Sequence, residues 1–184
     1  LSFSVSETTE GVHIHIIDAE LMGKGEKEKK DLYIEGVQNN GIINHYEYII
    51  NSEGTIEIRH VLKPEGKMPL WFPRIGLTLT VSDALDQVKW YGRGPQENYP
   101  DRKTGYPTGI YASTVQAMYE PYLMPQDYGL RTDVRWLQLT TDKGIGLQFK
   151  MNEWFNFNIY PYSTDNLTKA MYTYQLQKQK GMTL

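Results

Sequence analysis

Short segments in which apolar and polar residues alternate, separated by turns, recur along the 184-residue chain. Residues 12–16 show the strictest pattern, because Val12, Ile14 and Ile16 alternate with two histidines. A period of two places every second side chain on the same face of a strand, so these segments predict half-buried β-strands. The chain is therefore expected to form sheets whose strands are joined by short turns.

Two pairs of these segments predict β-hairpins. Residues 42–50 and 55–62 flank a polar turn in which Gly54 suits a positive φ. Residues 131–140 and 145–150 flank a second polar turn. Further strands are predicted at residues 1–5, 32–34, 70–80, 109–115, 154–159 and 171–176.

One segment favours a helix, namely Ser163–Ala170. Ser163 suits the N-cap and Asp165 lies in the first turn, where a negative charge stabilises the helix end. Many short strands and one short helix predict an all-β fold, an antiparallel β-sandwich. Residues 1–184 are expected to form it as a single domain.

Composition excludes several classes of function. The net charge of −3 and the pI of about 5.8 do not suit nucleic acid or an anionic membrane. Cysteine is absent, which excludes disulfides, thiolate metal sites and a cysteine nucleophile. The chain shows neither a membrane-length apolar run nor a signal peptide, and it starts inside a strand-like stretch at Leu1. We interpret it as a fragment of a longer polypeptide, either cytoplasmic or periplasmic.

The segment Trp90–Arg102, the signature loop, interrupts the strand pattern. Gly92 and Gly94 tolerate backbone angles closed to other residues, while Pro95 and Pro100 fix φ and lack an amide donor. Such a segment neither continues a strand ladder nor starts a helix, so it predicts a shaped loop held by its polar side chains. Long polar loops on a β scaffold commonly carry function or domain contacts.

Residues 94–102, with the sequence Gly-Pro-Gln-Glu-Asn-Tyr-Pro-Asp-Arg, resemble the signature of a known domain. It is the C-terminal, small-chain domain (domain 5) of bacterial β-galactosidases of glycoside hydrolase family two. Segments 73–77, 118–131 and 155–167 also resemble that domain, so the resemblance runs from residue 73 to the C-terminus. It implies a galactose-mutarotase-like supersandwich within a multidomain hydrolase of terminal β-D-galactosides.

The resemblance also implies how function is divided in the longer chain. The catalytic carboxylates of the family lie in a separate (β/α)₈ barrel, which often holds Mg²⁺ and Na⁺. We therefore expect no catalytic residue and no cofactor in this chain, and no hydrolysis by it alone. The expected partners are that barrel, a β-galactoside or another sugar, and a further copy in a homo-oligomer, but neither nucleic acid nor a membrane.

Eight residues are candidates for sugar contact or a domain interface. They are Trp90, Arg93, Glu97, Asn98, Tyr99, Asp101, Arg102 and Thr183. Glycosidases use two carboxyl groups, and Glu97 and Asp101 are the two carboxylates of the signature loop. The neighbouring arginines keep both ionised, which is wrong for a general acid, so we interpret them as loop-binding or docking groups. Aligning the Gly181 turn with the family places Thr183 where a tryptophan reaches the barrel's active site.

Two other functions are open at the level of sequence. Aromatic residues around the signature loop suit a carbohydrate-binding module, since sugars stack on aromatic rings. An aldose-epimerase-like enzyme needs an acid and a base. His45 and His60 lie in opposite arms of the first predicted hairpin, where Glu47 or Glu57 can supply the carboxylate.

His13 and His15 alternate on one strand and share a face, as two metal ligands would. The spacing of the sequence offers no third ligand beside them. We therefore interpret them as two exposed histidines and predict no metal site.

Overall fold

The computed structural model describes residues 1–22, 40–66, 68–72 and 74–184. They form two compact units, Leu1–Ile75 and Gly76–Leu184. The strand predicted at residues 32–34 lies outside the described residues. The organisation of residues 1–184 as a single domain stays a prediction.

The first unit is one antiparallel sheet in which each strand pairs with the next along the chain. The strands are β1 (Ser2–Thr8), β2 (Gly11–Met22), β3 (Asn40–Ile50) and β4 (Ile56–Glu65), in the order β1-β2-β3-β4. In the turn between β3 and β4, Gly54 has a φ of 81°. Asn51 Oδ1 accepts hydrogen bonds from the backbone amides of Glu53 at 3.1 Å and Thr55 at 3.0 Å. The first predicted hairpin is therefore confirmed.

Strand pairing divides the side chains of this sheet between two faces. His15 lies opposite Glu47 on β3, and Glu47 lies opposite Arg59 on β4, so these three side chains share one face. The other face carries the alternate, mostly apolar residues Phe3, Val5, Val12, Ile14, Ile16, Tyr46, Tyr48, Ile50, Ile56 and Ile58. The predicted alternation therefore places His15, Glu47 and Arg59 on the face opposite these mostly apolar residues.

The second unit contains two antiparallel sheets and one short helix. The strands are β5 (Thr80–Val81), β6 (Gln87–Arg93), β7 (Thr108–Thr114), β8 (Arg131–Thr140), β9 (Gly146–Phe157) and β10 (Met182–Thr183). The larger sheet has the order β7-β6-β8-β9, and β10 pairs with β5. The helix α1 (Thr164–Lys169) follows β9, and Ser163 Oγ accepts a hydrogen bond from Asn166 N at 3.1 Å. The second hairpin, the helix and its N-cap are confirmed.

Alternate residues of β6 and β8 form the core of the second unit. Trp90 lies opposite Leu137 and Val88 lies opposite Leu139, and all four side chains are buried. Burying a large apolar side chain stabilises the fold by about 1.5–3 kcal/mol. The core therefore anchors the strand that leads directly into the signature loop.

Two predicted strands are wrong. Of the alternating residues 70–80, the described ones (70–72 and 74–80) form no strand before Thr80, where β5 begins, and Leu70 and Trp71 are exposed. Alternation predicts a face, but a strand also needs a partner ladder. Residues 171–176 contain a 3₁₀ turn at Thr173–Gln175 instead, because Gln175 Oε1 accepts the amides of Met171 and Tyr172 at 2.7 and 3.1 Å.

The predicted all-β fold with antiparallel sheets and one short helix is confirmed, and it is consistent with a β-sandwich. Within the described residues, we find no helix with the length and apolar character needed to cross a membrane.

Candidate functional site

The prediction that the signature loop cannot continue a strand ladder is wrong for its first four residues, because Trp90–Arg93 belong to β6 and pair with β7 as far as Arg93. Here β6 packs closely against its neighbours. A Cβ atom on Gly92 would lie 2.8 Å from Val134 Cγ2 and 2.9 Å from Val134 Cα, and one on Gly94 would lie 2.8 Å from Tyr111 Cδ2. Neither glycine has a positive φ. The sequence correctly indicates that glycine is needed, but the reason is close approach and not an unusual backbone angle.

Trp90 fixes the start of the loop from inside the core. Its side chain is 1% exposed, and its Nε1 donates a hydrogen bond to the Arg93 carbonyl at 2.9 Å. Its ring packs against Tyr111 and Phe157, with centroids 5.5 and 6.0 Å away. Trp90 therefore has no face open to solvent on which a sugar could stack.

Glu97 is the centre of the loop, and its carboxylate accepts four hydrogen bonds. Oε1 accepts from Arg102 Nη2 at 2.9 Å and from the Tyr122 hydroxyl. Oε2 accepts from the Tyr99 hydroxyl at 3.1 Å and from the Gly129 amide at 2.9 Å. We call these five residues the Glu97 network. It joins the loop to the segment that leads into β8.

The network determines the ionisation of Glu97, which is 5% exposed. Burial alone would raise the pKa of its carboxyl group, but the bonds from Tyr122, Gly129 and the other donors outweigh burial and lower the pKa. Burial and the Glu97 charge raise the pKa of Tyr99, and the bond to Glu97 raises that of Tyr122. Glu97 is therefore held as a carboxylate by neutral hydroxyls, one guanidinium and a backbone amide.

Asn98 is fully buried beside Glu97 and bonds to β8. Its Oδ1 accepts from the Thr132 amide at 3.0 Å and from the Thr132 hydroxyl at 2.6 Å. Its Nδ2 donates to the Gln96 carbonyl at 3.0 Å, and its own amide donates to the Leu130 carbonyl at 2.8 Å. Since buried polar groups need partners, Asn98 fixes the position of the loop against the strand.

Arg131 closes the loop from the side of β8. Its Nε donates to the Pro95 carbonyl at 3.0 Å, and its Nη1 donates to the Gly129 carbonyl at 2.8 Å. The guanidinium lies 5.4 Å from the centre of the Trp90 ring. Burial lowers its pKa to about 10, although the charges of Glu120 and Glu97 oppose that effect.

Arg93 is held by a carboxylate on β8. Its Nε lies 2.6 Å from Asp133 Oδ2, and Lys103 Nζ lies 3.0 Å from Asp133 Oδ1. Asp133 has a φ of 53° where the pairing of β8 with β9 shifts register, so a bulge directs this carboxylate towards the loop. Burial opposes ionisation, but the bonds from Arg93 and Lys103 lower the pKa of Asp133.

The eight predicted site residues therefore fall into different environments. Trp90, Glu97, Asn98 and Thr183 are buried, and Asp101 and Arg102 are exposed. The Thr183 hydroxyl donates to the Tyr162 carbonyl at 2.8 Å, and Gln179 donates to that hydroxyl at 2.8 Å. The role of the eight residues in sugar contact or docking stays a prediction.

Sequence reasoning missed the partners that complete the site. Tyr122, Gly129 and Arg131 lie in a segment that resembles the family, yet the sequence does not show that they meet Glu97 and Pro95. Thr132 and Asp133 carry no such signal, because only the pairing of β8 and its bulge bring them to the loop.

Two carboxyl groups near the loop have pKa values shifted in opposite directions. That of Glu97 is lowered, whereas burial and the Glu97 charge raise the pKa of Glu120. Such a divergence is typical of acid–base pairs. Here both oxygens of Glu97 already accept two donors each, so the carboxylate is occupied by structural bonds.

The histidine pair of the first hairpin does not converge. His45 lies opposite Val61, whereas His60 lies opposite Tyr46, so the two imidazoles point to opposite faces of the sheet. His60 Nε2 lies 3.0 Å from Asn44 Oδ1. His45 shares its face with Glu47 and Glu57, so an epimerase-like pair of one histidine and one glutamate stays a prediction.

The fold and the loop define a class, an all-β chain whose second unit is organised around an internally bonded polar loop. Residues 5–184 match the family model for the β-galactosidase small chain. A β-galactosidase of Priestia megaterium is 38% identical over 137 residues, which are 74% of this chain and 13% of that relative. One of Pseudoalteromonas haloplanktis is 36% identical over 130 residues, 70% of this chain and 12% of that relative.

A β-galactosidase of Lactobacillus delbrueckii subsp. bulgaricus is 40% identical over 105 residues, 56% of this chain and 10% of that relative. The chain belongs to the β-galactosidase small-chain family. The matched region spans between 10% and 13% of the length of these three relatives.

Proposed function

We propose that this chain is a non-catalytic supporting domain of a β-galactosidase that hydrolyses terminal β-D-galactosides. The family match and the three β-galactosidase relatives support the parent activity. The observation that carries the non-catalytic role is the Glu97 network, in which both carboxylate oxygens are occupied.

A glycosidase needs one carboxyl group that gives a proton and another that attacks or activates water, about 5–10 Å apart. Glu97 has a lowered pKa and is fixed by four donors, so it is poorly suited to either task. Asp101 is exposed within the turn that the Tyr99–Arg102 bridge closes. These features favour a loop that shapes and supports a site formed elsewhere in the longer protein.

The larger sheet of the second unit offers a surface for contact with the rest of that protein. We call Tyr91, Ile110, Arg135 and Trp154 the outer face; Tyr91 and Ile110 pair across β6 and β7. The Arg135 guanidinium lies 5.1 Å from the Tyr91 ring centre and 4.2 Å from that of Trp154. Ile110 is 61% exposed and Trp154 62% exposed.

Exposed aromatic and aliphatic residues with an arginine are typical of interface centres. The matched region covers only a small share of each relative. We therefore infer that the occupant of the outer face is another domain of the longer β-galactosidase chain. A barrel domain with the catalytic carboxylates fits this role.

The first experiment separates the supporting role from independent activity. The intact protein and this chain alone are assayed with a nitrophenyl β-D-galactoside, and the chain is titrated with galactose and lactose. We expect turnover only with the intact protein and no heat of binding from the chain. Turnover by the chain above a matched inactive preparation would overturn the proposal. Sugar binding without turnover would identify a carbohydrate-binding module, and faster mutarotation of α-galactose an epimerase-like enzyme.

The outer face is tested by two matched substitutions in the intact protein. Ile110→Asp places a charge in the outer face, whereas Ile145→Asp places one at an isoleucine that is 72% exposed in the β8–β9 turn. We expect the first to lower galactosidase activity and the cooperativity of thermal unfolding, and the second to leave both unchanged. Equal effects from the two variants would argue against the outer face as the contact surface.

A further inference from the structure

Three side chains with metal-binding atoms converge on one face of the first unit. His13 and His15 project from β2, and Glu47 lies opposite His15 on β3. Glu47 Oε1 lies 3.8 Å from His13 Nδ1 and 3.8 Å from His15 Nε2. One ligand atom from each residue lies within 4.8 Å of the other two. We call these three residues the His13 cluster.

We propose that the His13 cluster binds a divalent transition-metal ion of the Zn²⁺ class. Two imidazole nitrogens and one carboxylate oxygen are ligands that Zn²⁺ prefers, and three protein ligands leave a position open to water or another ligand. The sequence offers His13 and His15 without a third ligand. The pairing of β2 with β3 supplies Glu47.

The spacing of the cluster is close to what a shared ion requires. Two ligands of a tetrahedral Zn²⁺ with bonds of about 2.0–2.1 Å lie about 3.3 Å apart. The two distances from Glu47 Oε1 exceed that by about 0.5 Å, and the histidine nitrogens lie within 4.8 Å of each other, so side-chain rotation has to bring all three ligand atoms closer. The distances from Glu47 Oε1 are too long for hydrogen bonds between imidazole and carboxylate. The carboxylate and the two imidazoles therefore lie close together without hydrogen bonds between them.

His13 is also poorly satisfied as an ordinary sheet residue. Its side chain is 14% exposed, and its buried Nε2 has no hydrogen-bond partner among the described residues. The ring nitrogen of His13 that lies nearest Glu47 is Nδ1, so the proposed ion would be bound through Nδ1 and would leave Nε2 as it is. Because His15 is 50% exposed on the same face, an ion can reach the cluster from solvent.

Glu47 is oriented by a neighbouring ion pair. Its Oε2 lies 3.1 Å from Arg59 Nη1, and Arg59 Nε lies 2.8 Å from Glu57 Oε1. This leaves Oε1 directed at the two histidines. Metal-binding carboxylates are commonly held in this way by an outer hydrogen bond. The charge of Glu57 balances that of Arg59. With neutral histidines, the cluster and this ion pair together therefore carry one net negative charge, that of Glu47, which attracts a cation.

The proposal is tested by counting bound Zn²⁺ in the intact protein after chelator treatment, using equilibrium dialysis. Wild type is compared with His13→Ala, His15→Gln and Glu47→Gln. His45→Ala is the matched control, because His45 lies on β3 on the same face but outside the cluster. We expect each of the three variants to bind one equivalent fewer than wild type, and the control to bind as many.

A Co²⁺ titration provides an independent reading. The wild type should show visible ligand-field bands that are lost in the three variants and kept in His45→Ala. Equal Zn²⁺ counts in wild type and the three variants would overturn the proposal, and so would an equal loss in the control. His15 is half exposed, so His15→Gln keeps the test valid if the less exposed His13→Ala fails to fold.

Discussion

Glu97 lies in the signature loop and Glu47 lies on β3, and the surroundings of these two carboxylates are opposite in kind. Glu97 is buried, and its four donors include a backbone amide and an arginine. Glu47 is partly exposed; Arg59 holds one oxygen, and two imidazoles lie 3.8 Å from the other. A carboxylate whose two oxygens both accept hydrogen bonds from the protein stabilises the fold. A carboxylate with one oxygen free beside other ligand groups can bind a metal ion.

The comparison also separates the two units. In the second unit, buried polar groups are joined in one network that fixes a loop to a strand, so removing any member leaves another without a partner. In the first unit, the polar cluster lies on an open sheet face beside His15, which is half exposed. Substitutions should therefore change stability in the second unit and ligand binding in the first.

The largest loss of stability is expected from Glu97→Ala. A small loss would contradict the structural role of Glu97. Four donors lose their acceptor, among them the buried Gly129 amide, and each buried donor left without an acceptor costs about 1–3 kcal/mol. Urea unfolding should show this loss with an unchanged denaturant slope. Asp101→Ala in the same loop is the matched control and should change stability by no more than about 0.5 kcal/mol.

Gly92→Ala should have the next largest effect, of about 1–3 kcal/mol. Its new Cβ would lie 2.9 Å from the backbone Cα of Val134, which cannot rotate away. Gly105→Ala is the control, since a Cβ on Gly105 meets nothing within 4 Å. Equal thermal midpoints for the two variants would show that β6 and β8 are not packed as closely as described.

The sequence was sufficient for the parts of the fold that depend on local pattern. Alternation and turn residues predict the two hairpins, and Ser163 predicts the start of the only α-helix in the described residues. The segment 70–80 alternates equally well, yet its described residues form no strand before Thr80, since pattern does not reveal whether a partner strand is available. The same limit applies to the sites: Asp133 reaches Arg93 through a bulge, and Glu47 reaches His15 through strand register.

Acid should lower the stability by a smaller amount than Glu97→Ala, because it removes the charge of Glu97 without removing its side chain. The folded-state pKa of Glu97 lies below the ordinary value of 4.5. Its contribution to stability is therefore complete above about pH 4.5 and is lost as the pH falls through the lower folded pKa. Glu97→Gln should lose less stability than wild type between pH 6 and about pH 3. Parallel acid profiles would contradict an ionised, bonded Glu97.

The smallest effect on stability is expected from Glu47→Gln without metal, within about 0.5 kcal/mol because the group is partly exposed. With Zn²⁺ the two glutamates should differ most clearly. A ligand present at 100 times its Kd stabilises the folded state by about 2.7 kcal/mol. Zn²⁺ should therefore raise the Tm of wild type and leave that of Glu47→Gln unchanged. A similar rise in both would place the binding outside the His13 cluster.

The central claim is that Glu97 holds the fold together and takes no part in the chemistry. It is tested most directly by kcat for β-galactoside hydrolysis by the intact Glu97→Gln protein, at a temperature where unfolding measurements show it fully folded. We expect a kcat within about threefold of wild type together with a clear loss of stability, since a purely structural bond adds nothing specific to the transition state. A loss of about a hundredfold or more in the fully folded variant, with KM unchanged, would contradict it.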